Sequence, residues 1–249
     1  MSNKEVVKQE NSVLDPSLFE GMPTGFEGTT SDTFKIPFLK ILQKQSPEVD
    51  KDDPNHVKGA EYGTYLNTAT KQTYKSFNAV VLKIEHNLLV WKPDRGGLVG
   101  IFDKSMEGQI VAKRDGLFKL DQEGNEIDDT ISIYFMNADD PTDIFVLPLS
   151  RTGFKYGQAF ATRIRALKMN GKAVKVTWAG VWSIGIAQDK NDKGSWYTMG
   201  NTPEFQQFVD AEMVNSFIKP SLEILKTAET DYNQMSENSS TSVEGEESF

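Results

Sequence analysis

Short hydrophobic runs that alternate with polar residues fill most of the chain between residues 34 and 199. Alternation with period two, rich in aromatic and β-branched residues, is typical of strands. Turn residues bound the runs, as where Pro93-Asp94-Arg95-Gly96-Gly97 follows Trp91. The predicted strands are residues 60–66, 73–83, 88–92, 118–120, 131–135 and 143–149.

Two segments have helical spacing instead. Apolar residues in 152–169 recur at helical intervals, and Asn170-Gly171 predicts the end of that helix. Residues 172–187 and 195–199 alternate again and predict a hairpin. A second, amphipathic helix is predicted from Thr202-Pro203-Glu204 onward, with Phe205, Phe208, Val209, Met213 and Phe217 on its apolar face.

Together these elements predict a mainly β protein of the α+β class. Several short strands with one helix placed late among them favour an oligonucleotide-binding-type β-barrel with an inserted helix and a C-terminal amphipathic helix. The chain of 249 residues carries a net charge of −9, which alone argues against a nucleic-acid-binding protein. The distribution of charge changes that conclusion.

Charge divides the chain into three parts. Residues 1–33 hold six acids and two lysines and predict a disordered acidic leader; residues 229–249 hold six acids and no base and predict a disordered acidic tail. Residues 34–228 are predicted to form a single nucleic-acid-binding domain. Within it, residues 144–188 carry seven cations and no Asp or Glu. We call residues 144–188 the basic segment.

A basic groove that follows phosphates and aromatic rings that stack on bases are the two parts of a non-specific single-strand binding site. The sequence places rings and cations close together in and near the basic segment, although rings at strand or helix spacing, such as Trp178, Trp182 and Phe154, are equally consistent with a core. The candidate DNA-binding residues are Trp91, Lys92, Arg95, Arg151, Lys155, Tyr156, Arg163, Arg165, Lys168, Lys172, Lys175, Trp178 and Trp182.

The C-terminus couples flexible negative charge to a terminal aromatic residue through Glu244, Glu246, Glu247 and Phe249. This ending resembles the tails of bacterial and phage single-stranded DNA-binding proteins, although the bacterial pattern has an Asp run and a proline before the phenylalanine. Residues 36–43 and 147–150 also resemble phage DNA-binding proteins. The resemblance implies that the tail recruits replication or recombination proteins and competes with DNA for the basic groove.

Nothing in the sequence demands a cofactor, a metal or an oxidising compartment. The chain has no cysteine, residues 1–10 lack a secretory apolar run, and no stretch approaches the roughly 20 apolar residues of a membrane span. We expect no membrane association and a location in the cytoplasm, which for a phage protein is the host cytoplasm.

No enzyme motif is evident either. His56 and His86 stand apart, and phosphate-binding loops, zinc helices and nucleophile elbows are missing from the sequence. One acidic cluster leaves a metal-dependent nuclease open: Asp128, Asp129, Asp139, Asp140 and Asp143.

The favoured prediction is a non-enzymatic protein that binds and protects single-stranded DNA without sequence preference in phage replication or recombination. The alternative from another class is a virion or assembly protein, because the predicted C-terminal helix offers an apolar face to a partner.

Overall fold

The structure is a computed structural model that describes residues 35–115, 118–192, 194–227 and 229–230. The predicted leader and the tail beyond Thr230 lie outside these ranges, and with them the four predicted tail residues. Strands β1 to β9 are Lys35–Ile36, Leu39–Ile41, Tyr65–Asn67, Thr73–Tyr74, Phe77–Trp91, Leu98–Asp103, Lys113–Asp115, Phe118–Leu120 and Glu126–Asn137. Strands β10 to β17 are Ile144–Ser150, Lys168–Met169, Lys172–Ala173, Gly180–Ile184, Ala187–Asn191, Gly194–Thr198, Glu204–Phe208 and Glu229–Thr230.

The helices are short and occupy three places in the chain. They are α1 (Glu107–Ile110), α2 (Phe154–Arg165), and α3 (Ala211–Met213) with α4 (Lys219–Thr227), which are joined by a π turn at Val214–Ile218. In the part of the chain that the structure describes, no helix is both long and apolar enough to span a membrane. The protein is therefore mainly β with helical additions, as the alternation predicts.

Strands β5 and β9 form the backbone of an eight-stranded sheet. They pair antiparallel from Ala79 opposite Asn137 to Trp91 opposite Glu126, with an irregularity between Val81 and Lys83. The strand order is β16-β13-β5-β9-β8-β7, with β6 added to β5 and β10 added to β9. Bulges increase local twist and bend a strand, and the sheet curls into a half barrel.

Both faces of the central strands are buried, which explains why β9 is continuously apolar from Ile133 to Met136. Ile133 and Phe135 belong to a cluster that includes Phe160 of α2, whereas the neighbouring Tyr134 and Met136 pack in a second cluster with the C-terminal helix. Successive side chains of a strand point to opposite faces. The helix α2 therefore covers one face of the sheet, and the segment 211–227 covers the other.

The C-terminal helix begins later than predicted. Residues 204–208 form β16, which pairs with β13, and Phe205 packs edge-on against Trp182 at 5.6 Å. The helix begins after Asp210, whose side chain accepts a hydrogen bond from the Met213 backbone N–H at 2.7 Å. Pairing with β13 outweighs the local helix signal of Thr202-Pro203-Glu204.

This correction removes the observation behind the assembly alternative. Phe205 and Phe208 are strand residues, and Phe217 packs against the second core cluster. The helix uses Ile218, which is fully buried, and Leu225 to cover the sheet of its own chain. Met213 and Phe217 of the predicted apolar face thus pack within the chain, whereas Phe205 is 38% exposed on β16.

Candidate nucleic-acid interface

Helix α2 carries the middle of the basic segment and lies unusually close to the sheet. Its buried residues Gly157, Phe160 and Ile164 form one face. A Cβ placed on Gly157 would lie 3.0 Å from Cβ of Ile131, so a larger residue would force helix and sheet apart. The cations of α2 are consequently confined to the opposite, solvent-facing side.

A tight hairpin follows the helix. Helix α2 ends at Arg165 rather than at residue 169, and Lys168–Met169 pairs antiparallel with Lys172–Ala173. Both turn residues have positive φ, 50° at Asn170 and 77° at Gly171, as a type I′ turn requires. The prediction that Asn170-Gly171 ends the helix is wrong because this dipeptide is also the strongest two-residue hairpin signal. We call residues 168–173 the basic hairpin.

Four cations of the basic segment gather at the hairpin and the end of α2. Arg165, Lys168, Lys172 and Lys175 are all exposed, and within the described residues none of the four makes an ion pair. Arg165 and Lys175 line a groove of about 450 Å³, together with other residues of α2, residues 173–177 and Ile84 of β5. Lys168 and Lys172 stand on the hairpin next to it. Met169 and Val176 add apolar surface, being 41% and 37% exposed.

Two predicted DNA-binding arginines lie in a separate ionic network. Arg95 pairs with Asp128 and stacks over Trp91 at 5.0 Å. Arg151 donates to Glu126 Oε2 at 3.0 Å and to Asp128 Oδ1 at 3.3 Å. The side chains of Arg95 and Asp128 are only 12% and 9% exposed. We call Arg95, Arg151, Glu126 and Asp128 the ionic network. Both arginines of the network are neutralised by acids that lie outside the basic segment.

Lys155, Tyr156 and Arg163 also have partners within the chain. The Tyr156 hydroxyl donates to Asp189 Oδ2 at 2.5 Å, and Lys155 Nζ lies 3.2 Å from the same oxygen. These hydrogen bonds from Tyr156 and Lys155 lower the pKa of Asp189. Arg163 donates to the backbone carbonyl of Pro203 at 2.8 Å. Lys92 is exposed but lies at the far end of β5 from the groove.

The predicted stacking tryptophans are not at the surface. Trp91 is 1% exposed and Trp182 is 3% exposed, and Trp178 is half-buried against the second cluster. The expectation that Trp91 and Trp182 present their rings to solvent is wrong. Both stand on strands whose two faces are covered, so alternation along the strand gives them no exposed side.

The five acids of the nuclease alternative do not converge. Asp128 belongs to the ionic network, and Asp129 at the start of β9 pairs with Lys104 and Lys119. Asp143 accepts hydrogen bonds from Asn67 and Tyr74 beyond the opposite end of β9, on the order of 30 Å away at about 3.3 Å per residue. Within the described ranges, no three His, Asp or Glu residues are arranged to hold a metal ion.

The structure brings forward aromatic residues that the sequence analysis did not single out. Trp196 and Tyr197 lie on β15, and Tyr62 is 52% exposed with its ring 5.9 Å from that of Tyr197. Gln43 fixes this strand: its amide donates to the Tyr197 carbonyl and its oxygen accepts from the Tyr197 N–H, both at 2.8 Å. A contact across 154 residues leaves no local signal in the sequence.

Comparison with known proteins adds one finding. The family model described as "Pam3 phage gp34-like protein" matches residues 7–239, nearly the whole chain. The chain belongs to this family. Comparison of the gp34-like chain with curated proteins and with solved structures gave no match. A phage family is compatible with the phage resemblance of the sequence, and the family description names no binding activity.

Proposed function

We propose that this gp34-like protein binds and protects single-stranded DNA without sequence preference during phage replication and recombination. The observation that carries the proposal is the set of four exposed cations at the end of α2 and on the hairpin, Arg165, Lys168, Lys172 and Lys175, of which Arg165 and Lys175 line the groove. The basic segment has seven cations. Arg151 and Lys155 form ion pairs and Arg163 donates to a backbone carbonyl, which leaves these four.

The arrangement suits a flexible polyanion. Cations on a protruding hairpin neutralise successive phosphates and release counterions, which gives affinity that falls with salt. Phosphate contacts carry no direct base specificity. The exposed Met169 and Val176 offer apolar surface for sugars and base faces next to the charges. A contact set of this kind binds any single strand.

The acidic tail fits the same proposal as a modulator. From Thr230 to Phe249 the chain has 19 further residues, a reach of roughly 65 Å when fully extended. A domain of this size has a radius of gyration of about 16 Å. The tail is thus long enough for its acids to contact the basic hairpin, compete with DNA, and present Phe249 to replication or recombination proteins.

The remaining predictions belong with this function. We propose that the curled half-barrel is the wall of an oligonucleotide-binding-type barrel, that residues 34–228 act as one domain, and that the protein works in the host cytoplasm without a cofactor or catalytic activity.

Charge reversal at the hairpin tests the proposal. Fluorescence anisotropy with labelled oligo-dT measures the affinity of the wild type, of a Lys168→Glu/Lys172→Glu variant, and of a Lys51→Glu/Lys58→Glu control on a distant exposed loop. We expect the hairpin variant to bind about tenfold or more weakly at low salt, with the salt slope reduced by about 1.4 for two phosphates. Equal affinity in the hairpin and control variants contradicts the assignment.

Removing residues 236–249 tests the tail. Without the competing acids, binding to oligo-dT tightens, most of all at low salt where charge attraction is least screened. An unchanged affinity at low salt contradicts competition by the tail while leaving the hairpin assignment intact.

A further inference from the structure

A second cavity lies at the opposite end of α2 from the basic hairpin. It measures about 410 Å³ and lies between β2, the end of β10, the 3-10 turn before α2 (Arg151–Gly153) and strand β15. Its floor is apolar, from residues such as Leu39, Leu147 and Leu149. This size and lining are typical of small-molecule sites, which are usually 300–1,000 Å³ and mostly apolar with a few polar groups.

Trp196 supplies the aromatic wall of the cavity. Alternation along β15 places Trp196 on the same face as the buried Thr198. Tyr197 also lines the cavity, while its ring packs toward Gly63 and Tyr62. The indole N–H of Trp196 is buried and has no hydrogen-bond partner among the described residues.

Polar groups stand around the rest of the rim. Ser150 and Thr152 are among the lining residues, and Lys40 lines the cavity while forming an ion pair with Glu48 at 2.9 Å. Burial lowers the pKa of Lys40, against the effect of Glu48. An apolar floor, one aromatic wall and donors at the rim match a flat molecule with apolar faces and polar edges.

We propose that this cavity holds one nucleobase of the bound single strand, stacked on Trp196. The inference rests on the proposed function and adds a base-stacking site to a phosphate-binding surface. Helix α2, with 12 residues, connects the cavity to the basic hairpin, a distance of about 18 Å at 1.5 Å per residue. Helix α2 itself carries no acid, and Asp189, which lies against its first turn, is paired with Lys155. A strand of about 4–16 nucleotides, the usual site size of such folds, reaches both ends.

Substitution of Trp196 tests the inference on the full-length protein. The probe is a fluorescein-labelled oligo-dT of about 15 nucleotides, measured by anisotropy at fixed salt. We expect Trp196→Ala to weaken binding about 5- to 150-fold, the usual effect of removing one stacked ring. Trp196→Phe keeps a ring and stays within a few-fold of the wild type. Tyr62→Ala, an exposed ring outside the cavity, is the matched control and leaves affinity unchanged.

Fluorescence keeps the test decisive even if Trp196→Ala fails to fold. Trp91 and Trp182 are buried, whereas Trp178 is half-buried like Trp196 and follows the groove residues 173–177, so unlabelled oligo-dT should quench emission clearly more in the wild type than in Trp196→Phe. Equal quenching in the wild type and Trp196→Phe, or wild-type affinity in a folded Trp196→Ala, overturns the cavity assignment alone. Hairpin variants that weaken binding then leave the proposed function in place, whereas a wild type that binds no oligo-dT overturns both.

Discussion

The ionic network and the basic hairpin both take cations from the same acid-free segment, yet they differ in charge. Arg151 of the network lies against Glu126 and Asp128, whereas Lys168 and Lys172 of the hairpin have no ion pair within the described residues. The same local composition therefore yields one neutral, partly buried site and one exposed positive site. The charge of a segment does not give the charge of the surface it forms.

Strand register explains the difference. Strand β10 pairs with β9 so that Ser150 lies opposite Thr130, which brings the next residue, Arg151, beside the acidic start of β9. The hairpin, by contrast, pairs only with itself and meets no acidic strand. Stability effects are expected in the network and DNA-binding effects in the hairpin, and the following predictions separate the two.

The largest effect is expected from Asp128→Asn in the ionic network. The substitution removes the closer of two acids that pair with Arg95, which is only 12% exposed, and leaves Glu126 Oε2 at 3.8 Å from its Nε. Because removing one partner of a buried ion pair costs about 3–5 kcal/mol and one acid remains, the loss of unfolding free energy should be about 3 kcal/mol at most. Urea denaturation measures the loss, and oligo-dT affinity at a temperature where the variant is folded should not change.

Asp192→Asn is the control for that prediction. Asp192 is exposed and makes no ion pair in the described ranges, so the free energy of unfolding should change by no more than about 0.5 kcal/mol. A network variant as stable as this control would mean that the four charges of the network contribute nothing net.

A smaller loss of stability is expected at acidic pH, from protonation of two carboxylates near the ionic network, Asp129 on β9 and Glu107 on α1. Burial works against the shift, but hydrogen bonds from Lys104, Lys119 and His86 lower the pKa of Asp129 to about 2. Hydrogen bonds from Lys104 and Lys119 lower the pKa of Glu107 to about 2 as well. Because both folded pKa values lie below the ordinary ones, the stabilisation is complete above about pH 4.5 and is lost as the pH falls toward 2.

Denaturation at a series of pH values checks this prediction. The free energy of unfolding should fall between pH 4.5 and 2 more steeply in the wild type than in Asp129→Asn, which has one carboxylate fewer to protonate. Identical slopes would contradict a stabilising role for Asp129.

The sequence predicts the fold better than it predicts the site. The short apolar run at residues 143–149 identifies β10 almost to the residue, because it reflects the burial of both faces of that strand. The local pattern fails at residues 204–208 because pairing with β13 decides their structure. Likewise, the sequence Trp91-Lys92 gives no sign that the Trp91 ring is buried beneath Arg95. Nothing in the sequence near Trp196 predicts that Gln43 will hydrogen-bond to its strand.

The smallest effect on global stability is expected from Gly171→Ala in the hairpin turn. This variant also tests the comparison between the ionic network and the basic hairpin most directly. Gly171 has φ of 77° with open space around its Cβ position, so alanine costs about 1–2 kcal/mol in backbone strain alone. The hairpin has two residues per strand, all exposed, and its distortion should leave global unfolding within about 0.5 kcal/mol of wild type. The displaced lysines should instead bind oligo-dT several-fold more weakly.

Gly124→Ala is the matched control, since Gly124 has φ of 85° and equally open surroundings but lies in the turn before β9. If both variants bind oligo-dT alike, the position of the hairpin lysines does not determine DNA affinity, and the contrast between neutralised and available cations loses its functional meaning.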